Sequence, residues 1–267
     1  MFLATVFELV IEVLHCMRGR DFYARIIDLP FGLVVKTTST MPRGAAQEAE
    51  IIRFVQRHTS IPTPRVVASA TGYGHHYLLM KKVAGENLQR VWPTLEPAQR
   101  TRIVEQLRAF ISQLRSLPSP HGRAVCSLNG APLRDFRITG EGPVGPFADE
   151  EAFNDRLVET SAPFYKRATR TEFRARMRGD HSIVFTHGDI APRNIMVDGD
   201  AIVALLDWEQ AGWYPEHWEL VKAMRCPPYP EAAGQLWVEL VNDMFENDYE
   251  AEWAVERDLS ERIVGPI

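Results

Sequence analysis

The chain has 267 residues, 45% of them apolar and 24% charged, and a formal net charge of −5. That length allows one large domain or two lobes, and that charge argues against a nucleic-acid partner, which needs a basic footprint. Three scattered cysteines, Cys16, Cys126 and Cys226, make neither a disulfide framework nor a Cys-x-x-Cys metal site, and they read as the reduced thiols of a cytoplasmic protein.

The N-terminal MFLATVFELVIEVLHC is the one strongly apolar segment, and Glu8 and Glu12 interrupt it. It is too short to span a bilayer and has no basic n-region, so no membrane association is expected. Phe2, Val6, Val10 and Val13 recur at helical spacing and predict a packed helix. Next, FYARIID and GLVVK flank Leu29-Pro30-Phe31-Gly32, a hairpin whose second strand closes on Lys36. Residues 45–58 predict a helix with Ile51, Ile52 and Val55 on its apolar face. Glu48 lies three, four and seven residues before them, on that same face, where a carboxylate wants a cationic partner. Glu50 is the alternative but faces another way.

Pro62 and Pro64 force extended chain before a strand at Arg65–Ala70. Thr71-Gly72-Tyr73-Gly74 then turns into HYLLMKKVAGENL, a strand that ends in a short linker. A long helix follows, with Pro97 in its first turn and a core stripe of Ile103, Leu107, Phe110, Ile111 and Leu114. Residues 117–147, rich in Pro and Gly, predict an irregular insertion. Lys166, Arg167, Arg170, Arg174, Arg176 and Arg178 stand against Glu172 alone. A solvated helix face is the expected reading, and an anion-binding patch the alternative.

The stretch from Val184 to Glu209, VFTHGDIAPRNIMVDGDAIVALLDWE, carries the chemistry. A short apolar run leads into a polar loop. The runs Ile195–Val197 and Ile202–Leu206 then flank Asp198-Gly199-Asp200, a hairpin turn. Asn194 lies five residues after Asp189, and Asp207 thirteen beyond Asn194, so the hairpin brings all three to one end. One carboxylate is free to act as a base, while an amide oxygen and a second carboxylate suit a hard cation such as Mg2+. Beyond it, Glu216–Arg225 and two segments after Pro230 predict helices, with Trp218, Val221, Leu236, Leu240 and Met244 as core. Other chemistries fail on missing partners. His217-x-Glu219 lacks the P-C-x-x-C of zinc deaminases, and there is no H-E-x-x-H, G-x-S-x-G or Walker-type loop.

The ordered set H-x-D-x-x-x-x-N followed by an isolated Asp resembles the catalytic loop and metal-binding Asp of protein-kinase-like phosphotransferases. THGDIAPRNIMV, LLDWEQAGWYPEHWE and the upstream SIPTPRVV more specifically resemble the aminoglycoside phosphotransferase family, in particular its fungal-type small-molecule branch. The resemblance implies a two-lobed α+β protein-kinase-like fold. A small β-rich N-lobe (1–83) would bind nucleotide, and a larger, mostly helical C-lobe (84–267) would bind substrate and carry the catalysis. It also implies ATP (or GTP) and Mg2+ as cofactors and a small-molecule hydroxyl as acceptor. Asp189 would be the catalytic base, and Asn194 and Asp207 the metal ligands. Lys36, steadied by Glu48, would hold the phosphates. The backbones of Lys81 and Val83 would bond the adenine, with Met80 and Leu79 against the ring, and the His187 ring would brace backbone near Asp207.

Three departures accompany the resemblance. No Gly-rich loop precedes Lys36, since Gly19 and Gly32 stand isolated, so the N-lobe is truncated. Ala191 replaces the lysine of protein kinases, with Arg193 the nearest cation. Lys81 and Lys82 occupy a hinge that often carries an acid. A catalytically inactive kinase-like binding module is the alternative reading. From Glu231 onward ten acids face only Arg257 and Arg262, which fits either solvated helices or a cationic acceptor.

Overall fold

The computed structural model of the chain describes residues 2–18, 25–39, 47–138, 142–226, 231–246 and 248–264. Its N-terminal part is one antiparallel sheet covered on both faces. Helix α1 (Phe2–Arg18) is followed by strands β1 (Ile26–Leu29) and β2 (Leu33–Ser39). Helix α2 (Glu48–His58) and strands β3 (Val66–Gly72) and β4 (His75–Lys81) complete the layer, in the order β1-β2-β4-β3.

Strand alternation decides which cover each side chain meets. On β2, Val35 turns to α1 while Val34 and Lys36 turn to the other face. On β4, Tyr77 and Leu79 turn to α1, and Leu78 and Met80 join the core built on Ile51, Ile52 and Val55 of α2. Leu79 therefore does not line the cleft expected for the nucleotide, because its neighbour Met80 occupies that face. Lys36 lies inside β2, which continues to Ser39 rather than closing on the lysine. The helical spacing of α1 is as predicted, but its packed face is not. Ala4, Phe7 and Ile11 are buried, while Phe2 is 85% exposed and Val6 and Val10 lie outward. A Cβ added to Gly72 would stand 2.7 Å from the Ala4 Cβ, so this close crossing admits a small residue and turns the larger ones out.

Residues 82–85 connect this sheet to β5 (Glu86–Asn87) and α3 (Leu88–Val91), which Asn87 caps by accepting the Gln89 amide. Helix α4 (Pro97–Arg115) buries Ile103, Val104, Leu107, Ile111 and Leu114; Phe110 is half-buried at the edge. The insertion is less irregular than its composition suggests, for it supplies β6 (Cys126–Ser127) and two isolated bridges, Val125–Phe147 and Leu133–Val144. After α5 (Glu150–Thr160) and α6 (Arg167–Arg176) comes β7 (Ile183–Thr186). The β8 (Ile195–Asp198) and β9 (Ala201–Leu205) hairpin pairs with β5. Strand β10 (Gly212–Pro215), unforeseen in the sequence, joins β6 and β7 in a second three-stranded sheet.

Helices α7 (Trp218–Met224), α8 (Glu231–Val241) and α9 (Glu250–Val264) close the chain. Trp218, Val221 and Met244 are core, but Leu236 and Leu240 are only half-buried. Trp237 and Val241, one position along, take the inner face of α8. The arginine-rich helix is not merely solvated. Arg174 pairs with Glu151 and Asp155, and Arg176 and Arg178 reach Asp258 and Glu252 on α9. Glu256 is buried between Arg137 and Arg225. Part of the C-terminal acidity therefore neutralises arginines of its own chain. No described helix is long and apolar enough to cross a membrane.

Candidate active site

The loop between β7 and β8 is fastened from below. Glu219, on α7 and fully buried, accepts the backbone amides of His187 (2.6 Å) and Gly188 (3.1 Å). Four carboxylate lone-pair directions suit two or three converging N–H groups. Gly188 adopts φ +77°, and a Cβ there would lie 2.9 Å from the Gln210 carbonyl oxygen, so the loop passes over the 3-10 turn Trp208–Gln210 only without a side chain. The His187 ring bonds the Leu206 carbonyl oxygen through Nε2 at 3.0 Å, and its Nδ1 accepts the Asp189 amide at 3.2 Å. One imidazole thus ties the loop to the residue preceding Asp207.

Asp189 is held on both oxygens. Arg193 donates to Oδ1 at 2.5 Å, and the Asn194 amide nitrogen donates to Oδ2 at 2.7 Å and to the Asp189 carbonyl at 2.9 Å. The Asn194 amide is thereby oriented with its nitrogen toward Asp189, which leaves its carbonyl oxygen as the group available to a cation. Cys226 lies 4.0 Å from Asp189 Oδ1.

Across the cleft, the buried Lys36 ammonium stands 2.8 Å from Glu48 Oε2, 2.6 Å from Asp207 Oδ1 and 3.8 Å from Glu209 Oε2. Burial alone would lower the lysine pKa, but these carboxylates reverse that and hold it above its ordinary value. Burial would likewise raise the Asp207 carboxyl; Lys36 outweighs it, with His187 and Arg193 adding, so it falls below the usual range. Asp207 adopts the left-handed conformation (φ 62°, ψ 64°), which costs a non-glycine residue about 1–2 kcal/mol. Glu48 helps to hold this turn by accepting the Trp208 amide at 3.2 Å. Carboxylates of Glu48, Asp207 and Glu209 lie within 4.8 Å of one another. Lys36 and the arginines beside Glu209, Arg134 at 3.2 Å and Arg25 at 3.8 Å, offset their charge.

A cleft of about 330 Å³ joins these groups. Its walls include Val34, Met80, Lys81, Val83, Met196 and Leu206, and Lys36, Asn194 and Asp207 lie at its polar end. The Lys81 amide donates to the Arg65 carbonyl and the Lys82 amide to that of Gly32, both at 2.9 Å. The sheet does not take up the Val83 amide, so a ligand can use it. All seven residues singled out beforehand lie in one region. Lys36, Glu48, Lys81, Val83, Asn194 and Asp207 line the cleft, and Asp189 is bonded to Asn194 at its edge.

Sequence reasoning missed Glu219 and Glu209. Glu219 carried the signal that had pointed to Glu48, a carboxylate in a short helix of otherwise core residues. Glu209 is buried and paired with Arg134 at 3.2 Å, a contact set by the 117–147 insertion and invisible from local pattern.

Comparison with known proteins places these features. The model of the phosphotransferase enzyme family matches residues 19–259. No curated protein matches the chain. Among solved structures, an aminoglycoside-3'-phosphotransferase of type VIII is 19% identical, with a TM-score of 0.56 over 94% of this chain and 97% of that one. A thermostable mutant of aminoglycoside phosphotransferase APH(4)-Ia, in ternary complex with ADP and hygromycin B, is 14% identical. Its TM-score is 0.56, over 90% of this chain and 83% of that one. The streptomycin–ATP–APH(2")-IIa ternary complex is 12% identical, with a TM-score of 0.56 over 96% and 92%. The shared fold is the α+β protein-kinase-like fold. None of these matches supports the narrower fungal-type branch.

Proposed function

The chain belongs to the phosphotransferase enzyme family, and from that premise we propose that it moves the γ-phosphoryl group of ATP or GTP to a hydroxyl of a small molecule. The observation that carries this reading is the convergence of Asp189, Asn194, Asp207 and the Lys36–Glu48 pair at one end of an apolar cleft. In this reading residues 1–83 hold the nucleotide and 84–267 hold the acceptor. Val83 donates its amide to the base, which lies between Val34 and Met80 on one side and Met196 and Leu206 on the other. Lys36 presents its ammonium to the phosphates, with Glu48 fixing its direction. Asp189 accepts the acceptor's hydroxyl proton. Arg193, bonded to Asp189, sets a cation beside the group in transit, where Ala191 offers none.

Asn194 and Asp207 together offer one amide oxygen and one carboxylate, the donor set that Mg2+ takes beside phosphate oxygens. Bound there, the ion would supply charge neutralisation of the phosphates. The solved relatives that carry ADP with hygromycin B, or ATP with streptomycin, support a nucleotide and a small-molecule acceptor for this chain also. Amino-sugars are the first acceptors to test, although the acids engaged by Arg137, Arg176, Arg178 and Arg225 are not available to a cationic substrate. Placement in a fungal-type branch rests on Gly188, on Asp207-Trp208-Glu209 and on the segment GPFADEEAFN at 145–154.

A second reading, a catalytically inactive kinase-like binding module, draws on the turn joining β1 to β2, where Gly32 is the one glycine, and on the isolated Gly19 upstream, which lies outside the described residues. A thermal-shift series with ATP and GTP, in Mg2+ and in chelator, separates the readings when followed by transfer assays on amino-sugars, amino-alcohols and neutral alcohols. A ligand that binds only the native state raises its melting temperature. The enzyme reading expects a metal-dependent rise and turnover of at least one acceptor class. No rise at millimolar nucleotide, or a rise without turnover of any acceptor, overturns the enzyme reading and favours the module.

A further inference from the structure

Behind the catalytic loop, away from the cleft, two histidines and two glutamates meet in the interior. Glu150 opens α5, His181 precedes β7, His217 sits in the turn between β10 and α7, and Glu252 comes from α9. Glu150, His181 and His217 are buried, and one ligand atom from each lies within 4.8 Å of the others. His181 Nδ1 is 2.7 Å from Glu150 Oε1, and His217 Nδ1 is 3.7 Å from that same oxygen. The two imidazole rings stand 4.6 Å apart.

Hydrogen bonding leaves this cluster incomplete. His217 Nδ1 and His181 Nε2 have no hydrogen-bond partner, although Glu252 Oε1 lies 3.2 Å from the latter. A buried polar atom without a partner costs about 1–3 kcal/mol, and two side by side call for a reason. We propose that Glu150, His181 and His217 form a structural site for a zinc-class divalent ion, with Glu252 as the positioning carboxylate behind His181.

The chemistry matches on three counts. Two imidazoles and a carboxylate are a common zinc donor set, and ligands about 2.0–2.2 Å from a tetrahedral ion lie about 3.3 Å from one another. The observed 2.7 and 3.7 Å bracket that separation, so binding asks for shifts of about half an ångström. Ligation through His181 Nδ1 moves the ring proton to Nε2, where Glu252 Oε1 is placed to accept it. Metal-bound histidines ordinarily show that arrangement, and it answers the second unpartnered atom. A cavity of about 20 Å³, bordered by His181, His217 and Glu252 but not by Glu150, lies beside the cluster, with Arg176 and Arg178 on its wall.

The ion would join α5, the residues before β7, and the turn that carries α7. Strand β7 leads into the Asp189 loop and α7 carries the Glu219 brace, so the site would fix the base of the catalytic loop without touching the cleft. This proposal does not depend on the phosphotransfer reading.

Tag-free protein, stripped with chelator and dialysed against micromolar Zn2+, should take up about one equivalent per chain by elemental analysis, and its melting temperature should rise by several degrees. Asp207→Asn should keep that equivalent, which separates it from any ion in the cleft. His217→Ala should lose it. Glu252→Gln, a milder change at the edge of the cluster, should fold normally and bind zinc about tenfold more weakly. No zinc retained by the wild-type chain would overturn the proposal, as would uptake unaltered in both His217→Ala and Glu252→Gln.

Discussion

The two sides of the cleft are built to different standards. On the side proposed to hold the nucleotide a four-stranded sheet rests on α2 beneath and on α1 above. Among the described residues the upper cover buries Ala4, Phe7 and Ile11 against Val35 and Tyr77, while Phe2, Leu3, Val6, Leu9 and Val10 remain exposed. On the catalytic side five of the six tryptophans, Trp92, Trp208, Trp213, Trp218 and Trp237, are fully buried. Two buried polar groups there, Asp135 and Glu219, each collect several donors. Asp135 accepts from Lys222 and from the Trp218 ring nitrogen, both at 2.8 Å, and Glu219 accepts the loop amides. Groups that must be placed to a fraction of an ångström are fixed by many partners. The surface that admits a ligand rests on fewer, as expected where local opening is cheap.

The sharpest break of that contrast is at the base. Asp189→Asn keeps the shape and most hydrogen bonds of the loop but cannot take a proton. Single-turnover transfer should fall about 10³-fold, with the melting curve nearly unmoved because the surrounding partners already define the loop. Undiminished transfer would remove Asp189 from its role.

Next comes the brace. Glu219→Gln exchanges one acceptor oxygen for a donor that faces backbone amides. Denaturant unfolding should show a loss of about 2–3 kcal/mol, and transfer should drop with it because the Asp189 loop is no longer held. If stability fell while transfer per folded molecule stayed level, the brace would be structural only.

Much of the catalytic side was legible in sequence because its information is local. Alternating apolar runs about Asp198-Gly199-Asp200 specify the hairpin, and the spacing of Asp189, Asn194 and Asp207 follows from it. Glu48 was legible for a related reason, since a carboxylate on an apolar helix face demands a cation; that Lys36 is that cation followed only from the resemblance to kinase-like phosphotransferases. What escaped depends on distant partners. A helix that is apolar nearly all round does not declare its inner face, and on α1 the tight crossing at Gly72 decided it. On α8 the choice of Trp237 and Val241 over Leu236 and Leu240 was likewise made by packing. The acid that neutralises Arg176, Asp258, lies on α9, 82 residues away and beyond any local pattern, whereas Arg178 has Asp180 beside it at 3.0 Å.

On the nucleotide side, Lys36→Met should abolish the Mg2+-dependent thermal shift with ATP or GTP. Its effect on transfer should be smaller than that of Asp189→Asn, since positioning is weakened but the base remains. Asp207→Ala offers the matched control. Calorimetry should show weaker nucleotide binding with Mg2+ and little change in chelator, because its assigned work is to hold the ion. Equal loss in both conditions would count against Asp207 as a metal ligand.

The smallest effect on the chemistry should come from α1. Phe7 is buried against Tyr77, with ring centroids 5.7 Å apart, and removing such a side chain costs about 3–5 kcal/mol when the site cannot collapse. Here the cover is narrow and bordered by exposed apolar residues that can slide inward, so Phe7→Ala should lie at or below the low end of that range. The sheet would keep its other cover, the Leu78 and Met80 face on α2, and with it Lys36 and the cleft. Nucleotide affinity should therefore weaken a few-fold while the single-turnover rate at saturating nucleotide stays level. Hydrogen exchange should show faster opening in β3 and β4 and none in the Asp189 loop. A fall in the saturated rate as large as that of Glu219→Gln would mean that α1 helps to place the catalytic groups, and the two sides would then be one cooperative unit.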